Sequence, residues 1–194
     1  MSYRPITDMW FLARAKLKGG KKYYGAYLGG FLERARALLG CNINDPVLRV
    51  CGGMAKDYPY KRGFGPNDKT LDLDPACNPD FLQDAREHFP WCSINIHDDM
   101  SPGNGDGLSN PWSGIIIDPP YTEADATHYL PGPDKYPKPN QLIKNALEVL
   151  PIGGRVGIIC YYPPRPGNSI FVACIGIISG FCNRIRCYSV YEKT

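Results

Sequence analysis

The feature that most constrains this chain is a short apolar run, Gly114-Ile115-Ile116-Ile117, cut off by Asp118-Pro119-Pro120-Tyr121. Branched aliphatic residues in so short a run make a strand rather than a helix. The two prolines lack N–H groups and have φ held near −65°, so they end the strand. Similar segments recur along the 194 residues. Val47 to Val50, Thr70 to Leu73, Ser93 to Ile96 and Arg155 to Cys160 read as strands, and Ile170 to Ile178 with Ile185 to Tyr191 as a terminal hairpin around Gly180. Between them lie helical patterns. Gly30 to Leu39 places Phe31, Leu32, Ala35, Leu38 and Leu39 on one face before a C-cap at Gly40. Asn78-Pro79 reads as an N-cap and first-turn proline opening a helix to about His88, and Asn140 to Leu150 as a further helix. Strands alternating with helices predict an α/β fold with a mostly parallel sheet, right-handed crossovers and an antiparallel last strand.

Three stretches resist regular structure. Lys56 to Lys69 contains Pro59, Gly63, Gly65 and Pro66, which oppose a long helix. Ser101 to Pro111 is a loop by composition, and Thr122 to Pro139 is polar, proline-rich and mostly irregular.

The tetrapeptide also has a chemistry. A carboxylate and a main-chain carbonyl are pure acceptors. Together Asp118 and the Pro119 carbonyl can take both N–H groups of a flat aromatic amine, returning density to a nitrogen whose lone pair is delocalised into its ring. Pro120 stiffens the turn, and Tyr121 can lie against the ring, an arrangement worth ~1–3 kcal/mol per base. A charge-assisted hydrogen bond adds roughly 1.5–3 kcal/mol.

In parallel sheets ligands gather at the carboxyl ends of the strands, near the point where strand order reverses. The turn Cys51-Gly52-Gly53 comes directly after the strand at Val47 to Val50 and lets a ligand approach the backbone. Asp72 closes the next strand, where an acid commonly grips a ribose hydroxyl pair. Asp98 and Asp99 close the strand expected at Ser93 to Ile96, and Asp118 the one after it. Asp74 beside Pro75 reads as a turn former and Trp10 as a core residue.

On these residues the chain resembles the class I S-adenosylmethionine-dependent methyltransferases, and in particular those that modify adenine N6 or cytosine N4 in DNA. The cofactor turn is matched by Cys51 to Ala55, the ribose acid by Asp72, the third-strand acid by Asp98 or Asp99, and the catalytic tetrapeptide by Asp118 to Tyr121. Lys18 and Lys21, in Lys18-Gly19-Gly20-Lys21, resemble an N-terminal element that contacts the methionine end of the cofactor. The resemblance implies a three-layer Rossmann-like fold, S-adenosyl-L-methionine as cofactor and adenine N6 in DNA as the target. RNA (adenine N6 or guanine N2), cytosine N4, and a silent nucleic-acid-binding subunit are the alternatives. Departures stand at Arg49, where the family carries an acid, and at Ala55, where it carries a third glycine.

Composition sets the outer limits. A chain of this length suits one domain over 1–194 with no separate recognition domain, so a short recognition site or single-stranded DNA is expected. His128, Tyr129, Lys135, Tyr136 and Lys138 are the candidates for nucleic-acid contact. The net charge of +3 permits a polyanionic partner without requiring one. Eight cysteines form no C-x-x-C pair and have no histidines at zinc spacing, so they read as reduced residues and no metal site is expected. The longest apolar run, Ile170 to Ile178, is too short to cross a bilayer. A soluble cytoplasmic protein without a membrane partner is the expectation.

Overall fold

Wholly apolar strands form where helices cover a sheet on both faces, and this sheet is covered so. The computed structural model describes residues 4–13, 27–57, 62–90, 112–127, 136–179 and 185–194. β2 (Val47–Val50) and β5 (Gly114–Ile117) are buried along their whole length. Ile116 packs into the core beneath α1 (Phe31–Leu39), while Ile115 and Ile117 pack into the core beneath α3 (Pro139–Glu148). Between β5 and α3 lies the short α2 (Glu123–Ala126). α1 inserts Phe31, Leu32, Ala35 and Leu39, and stops at Gly40, whose φ of 74° only glycine adopts without cost. α3 inserts Leu142, Ile143, Ala146 and Leu147 from the opposite side. The result is three layers.

The remaining strands are β1 (Ile6–Leu12), β3 (Lys69–Asp72), β4 (Phe81–Leu82), β6 (Arg155–Cys160), β7 (Ser169–Ser179) and β8 (Arg186–Lys193). They form one sheet in the order β1-β7-β8-β6-β5-β2-β3-β4. Among the described strands only β8 runs against its neighbours, β6 and β7, which is the antiparallel hairpin strand expected. From β2 the chain steps outward through β3 and β4, then returns to the other flank of β2 as β5. The strand order therefore reverses between β2 and β5.

Two parts of the sheet differ from expectation. β1 is an addition to the expected strands: it pairs parallel to β7, burying Trp10 and Leu12 and leaving Met9 and Phe11 outward. Its outward side is as apolar as its inward side, which hides the period of two. The helix expected from Asn78 to His88 does not form. Asn78 has φ 46° and ends a 3₁₀ turn, Pro75–Cys77, whose N-cap is Asp74. The carboxylate of Asp80 then accepts from Thr70 N (2.8 Å) and Thr70 Oγ1 (3.0 Å) and pairs with Lys56 Nζ at 2.9 Å. This clamp holds the next residues extended against β3, with Phe81 opposite Leu71 and Leu82 opposite Asp72. The carbonyls of Ala85, Arg86 and Glu87, which a helix would satisfy itself, accept from Asn145 Nδ2 of α3. The strand expected at Ser93 to Ile96 lies outside the described residues.

Between β2 and β3 the described residues hold one 3₁₀ turn, Ala55–Asp57, and no longer helix. An ionic cluster fills the layer instead. Arg49 of β2 is fully buried and donates to Asp68 Oδ2 from Nε (3.0 Å) and Nη2 (2.6 Å), and to the Gly63 carbonyl at 2.8 Å. Arg36 of α1 pairs with Asp68 Oδ1 and donates to the carbonyls of Gly63, Asn42 and Asp45. Gly63 must be glycine: its φ is 90°, and a Cβ there would stand 2.3 Å from Glu33 N. Arg49, the departure noted in the sequence, is thus a structural anchor for residues 62–68. No helix among the described residues is long and apolar enough to cross a membrane.

Candidate active site

β2 and β5 end side by side at the reversal of strand order, and the candidate site is built from the turns that leave these two ends. After β2 the chain turns sharply, with Cys51 at φ 55° and Gly53 at φ 54°. A left-handed cysteine is uncommon and holds only where its surroundings over-determine it. They do so here. Cys51 N donates to the Leu71 carbonyl at 2.9 Å, and Gly53 N to Asp72 Oδ2 at 3.0 Å. The other oxygen of Asp72 accepts from Asp74 N at 3.1 Å. Asp72, at the end of β3, is thereby fastened to the turn with lone pairs to spare, since a carboxylate has about four acceptor positions.

The field at this turn is negative. Burial raises the Cys51 thiol well above its ordinary pKa, and Asp72, Asp118 and Asp84 add to the rise. Asp72 is itself raised by burial, against the lowering effect of the backbone N–H groups it accepts from. Asp84 lies just beyond β4 and pairs with Arg86 at 2.6 Å. Three carboxylates from the ends of three strands therefore bear on one backbone turn.

Asp118 closes β5, and its N–H donates to the Val50 carbonyl at 3.0 Å, tying the two strand ends together. Burial pushes its carboxyl up to about 6, opposed by a hydrogen bond from Tyr121 and the charge of Arg186. The Tyr121 hydroxyl donates to Asp118 Oδ1 at 2.7 Å and accepts from Arg186 Nη1 at 2.9 Å. Burial raises that phenol well above its usual pKa, so it is a donor at neutral pH. The Tyr121 ring lies 5.2 Å from the Tyr161 ring at 48°, and its carbonyl accepts from the Tyr136 hydroxyl at 3.2 Å. Pro119 is buried and Pro120 half-buried.

Of the residues picked from the sequence, Cys51, Gly52, Gly53, Asp72, Asp118 and Tyr121 gather around this reversal point. Lys18, Lys21, Asp98, Asp99, His128, Tyr129 and Lys135 lie outside the described residues. The sheet position next to β3 belongs to β4, so the acid there is Asp84. Its signal is the apolar pair Phe81-Leu82 with an acid close behind, but the N-cap pattern at Asn78-Pro79 is the stronger local cue. Arg186, Tyr161 and Tyr27 also escape a reading of the sequence. The Tyr27 hydroxyl is buried without a hydrogen-bond partner among the described residues, 3.4 Å from where a Cβ on Gly52 would stand. Nothing local marks these three, because only the tertiary packing brings them near. No cluster of His, Cys, Asp and Glu among the described residues could hold a metal ion.

No family model matches the chain, and no curated protein matches it in sequence. Among solved structures it superposes on TrmN from Thermus thermophilus with a TM-score of 0.58 at 18% identity, over 88% of this chain and 50% of that one. The chain thus spans half the length of that protein. An rRNA methylase from Streptococcus thermophilus gives 0.44 at 12% identity, over 87% and 99% of the two chains. The N-methyltransferase NodS from Bradyrhizobium japonicum, in complex with S-adenosyl-L-homocysteine, gives 0.45 at 11%, over 85% and 88%. The first likeness carries the comparison, and the two below 0.5 add no weight to it. The fold is the Rossmann-like methyltransferase fold.

Proposed function

We propose that this chain is an S-adenosyl-L-methionine-dependent methyltransferase acting on the exocyclic N6 amino group of adenine in DNA. The observation that carries the reading is the position of Asp118. It is a half-buried carboxylate at the end of β5, hydrogen-bonded through its own N–H to the end of β2, where the Cys51-Gly52-Gly53 turn begins. A cofactor cradle and an amine acceptor on adjacent strand ends are what such a transfer needs.

The residues at the turn suit the cofactor. Asp72 keeps lone pairs for ribose hydroxyls, Asp84 offers a carboxylate one strand further out, and the joint negative field of Asp72, Asp84 and Asp118 favours a sulfonium cation. Lys18 and Lys21, with Asp98 or Asp99, remain candidates for further contacts. When bound, the cofactor supplies the methyl group. The protein's part is positioning: Asp118 and the Pro119 carbonyl accept the two N–H groups, Pro120 stiffens the turn, and Tyr121 with Tyr161 forms an aromatic wall for the base. Fixed acceptors and proximity supply the acceleration. In duplex DNA the base must leave the stack, at a cost of a few kcal/mol. A single domain over 1–194 carries the whole activity in this reading, favouring a short recognition site or a single strand. Burial of Arg49 against Asp68 weighs against the silent-subunit alternative, because that departure lies in the packing layer.

The test is mass spectrometry of nucleosides from DNA and from RNA, each incubated with protein and methyl-labelled cofactor. Labelled N6-methyldeoxyadenosine is the expected product. Label confined to RNA, or to guanine, would overturn the DNA-adenine assignment, and no label with no thermal shift on cofactor addition would favour a silent binding subunit.

A further inference from the structure

Asp118 does not stand alone at the rim of β5. Arg186 Nη1 donates to the Tyr121 hydroxyl, which donates to Asp118 Oδ1, in a chain of 2.9 Å and 2.7 Å links. The Arg186 guanidinium carbon also lies 5.4 Å from the Tyr121 ring centroid. Arg186 opens β8, and Asp118 closes β5, with β6 between them in the sheet. Hydrogen bonds in series polarise one another, so a cation at one end strengthens the donor at the other.

We propose that Arg186 is a positioning residue: acting through the Tyr121 hydroxyl, it holds Asp118 as an ionised acceptor with Oδ1 already engaged, leaving Oδ2 for the substrate amine. This rests on the reading of Asp118 as the amine acceptor. Asp118 makes no other side-chain hydrogen bond among the described residues. Oδ2 is therefore the oxygen that no described protein group engages, available to an N–H of an exocyclic amine.

Among the described residues, the other groups bearing on Asp118 work against its ionisation or leave it unchanged. Burial is the main cost. The phenol of Tyr27, ahead of α1, and the thiols of Cys51 after β2 and Cys160 at the end of β6 all sense its charge, and burial keeps each of them neutral. Among the described residues, Arg186 is the cation that opposes the cost. Removing it should therefore make the Asp118 carboxyl easier to protonate.

The experiment is a ¹³C NMR titration of the free protein labelled at aspartate carboxyls, with Asp118→Asn used to assign the resonance. Wild type should titrate near the value of about 6. Arg186→Met should titrate about one pH unit higher, the low end of the effect of an opposite charge. Tyr121→Phe, which breaks the link while keeping the ring and the arginine, should move the same way, and Arg186→Lys should recover part of the difference. An unmoved midpoint in both Arg186→Met and Tyr121→Phe, with folded spectra, overturns the relay. The titration needs no turnover, so it stands apart from the nucleoside assay. The acidic limb of the pH–rate profile of Arg186→Met should move upward in parallel, while a purely structural role would lower the rate at every pH.

Discussion

Among the described residues two charge clusters sit on this sheet, one buried and one half-buried, and they are built on opposite plans. Beneath α1, Asp68 is met by Arg36 and Arg49 and by Gly65 N, and its two oxygens are fully engaged. At the strand ends, Asp72, Asp84 and Asp118 converge on one turn, and the cations near them, Arg86 and Arg186, stand at the margin. The first plan surrounds one carboxylate with two guanidinium groups and anchors a loop. The second leaves a negative field and a carboxyl pushed up to about 6, which costs folding energy and suits a ligand. Among the described residues, direct pairing with two guanidinium groups marks the scaffold acid Asp68, and a single side-chain link to a phenol marks Asp118 at the candidate site.

Three substitutions can break or sharpen that contrast. Asp68→Ala should have the largest effect, because it strands two buried guanidinium groups. The expected loss is ~3–5 kcal/mol, a large share of a typical domain's stability, read by chemical denaturation. If Asp68→Ala were no more damaging than a surface change, the cluster would not be the anchor described. Asp118→Ala should leave the fold intact while lowering methyl transfer by on the order of 10²–10³-fold, the usual effect of removing one preorganised polar group. Cofactor affinity, measured by calorimetry, should fall much less than the rate, because Asp72 and Asp84 remain at the turn.

Asp118→Asn should show the smallest effect and the most diagnostic sign. The folded carboxyl is raised to about 6 from an ordinary 3.8. Its ionisation therefore costs nothing below the unfolded value, costs more as pH rises between the two, and costs its full amount above about 6. The amide carries no such cost. It should stabilise the protein by on the order of 2 kcal/mol at pH 8, and the gain should vanish at about pH 3. A gain independent of pH would mean that something other than charge is relieved.

Much of the sheet is legible in the residues. Val47–Val50, Gly114–Ile117 and Arg155–Cys160 form strands with the bounds read from their apolar runs, and Gly40 closes α1. The acids Asp72 and Asp118 are legible for the same reason, since each directly closes a strand. Two things are hidden by stronger local signals. Asn78-Pro79 looks like a helix start, yet a side chain ten residues back in sequence, Thr70, binds Asp80 and holds the chain extended. Arg49 looks like a defect in a cofactor motif, yet its partner Asp68 makes it part of the packing layer.

The chain's own residues determined the α/β alternation, the parallel sheet and the tetrapeptide that closes β5, because short apolar runs, glycine caps and prolines act within a few residues. Tertiary structure alone decided that Asp84 occupies the outer strand end, that Arg186 from the last hairpin reaches Tyr121, and that one arginine anchors while another tunes. Those contacts join residues far apart in sequence, and only the strand order brings them within a hydrogen bond's length.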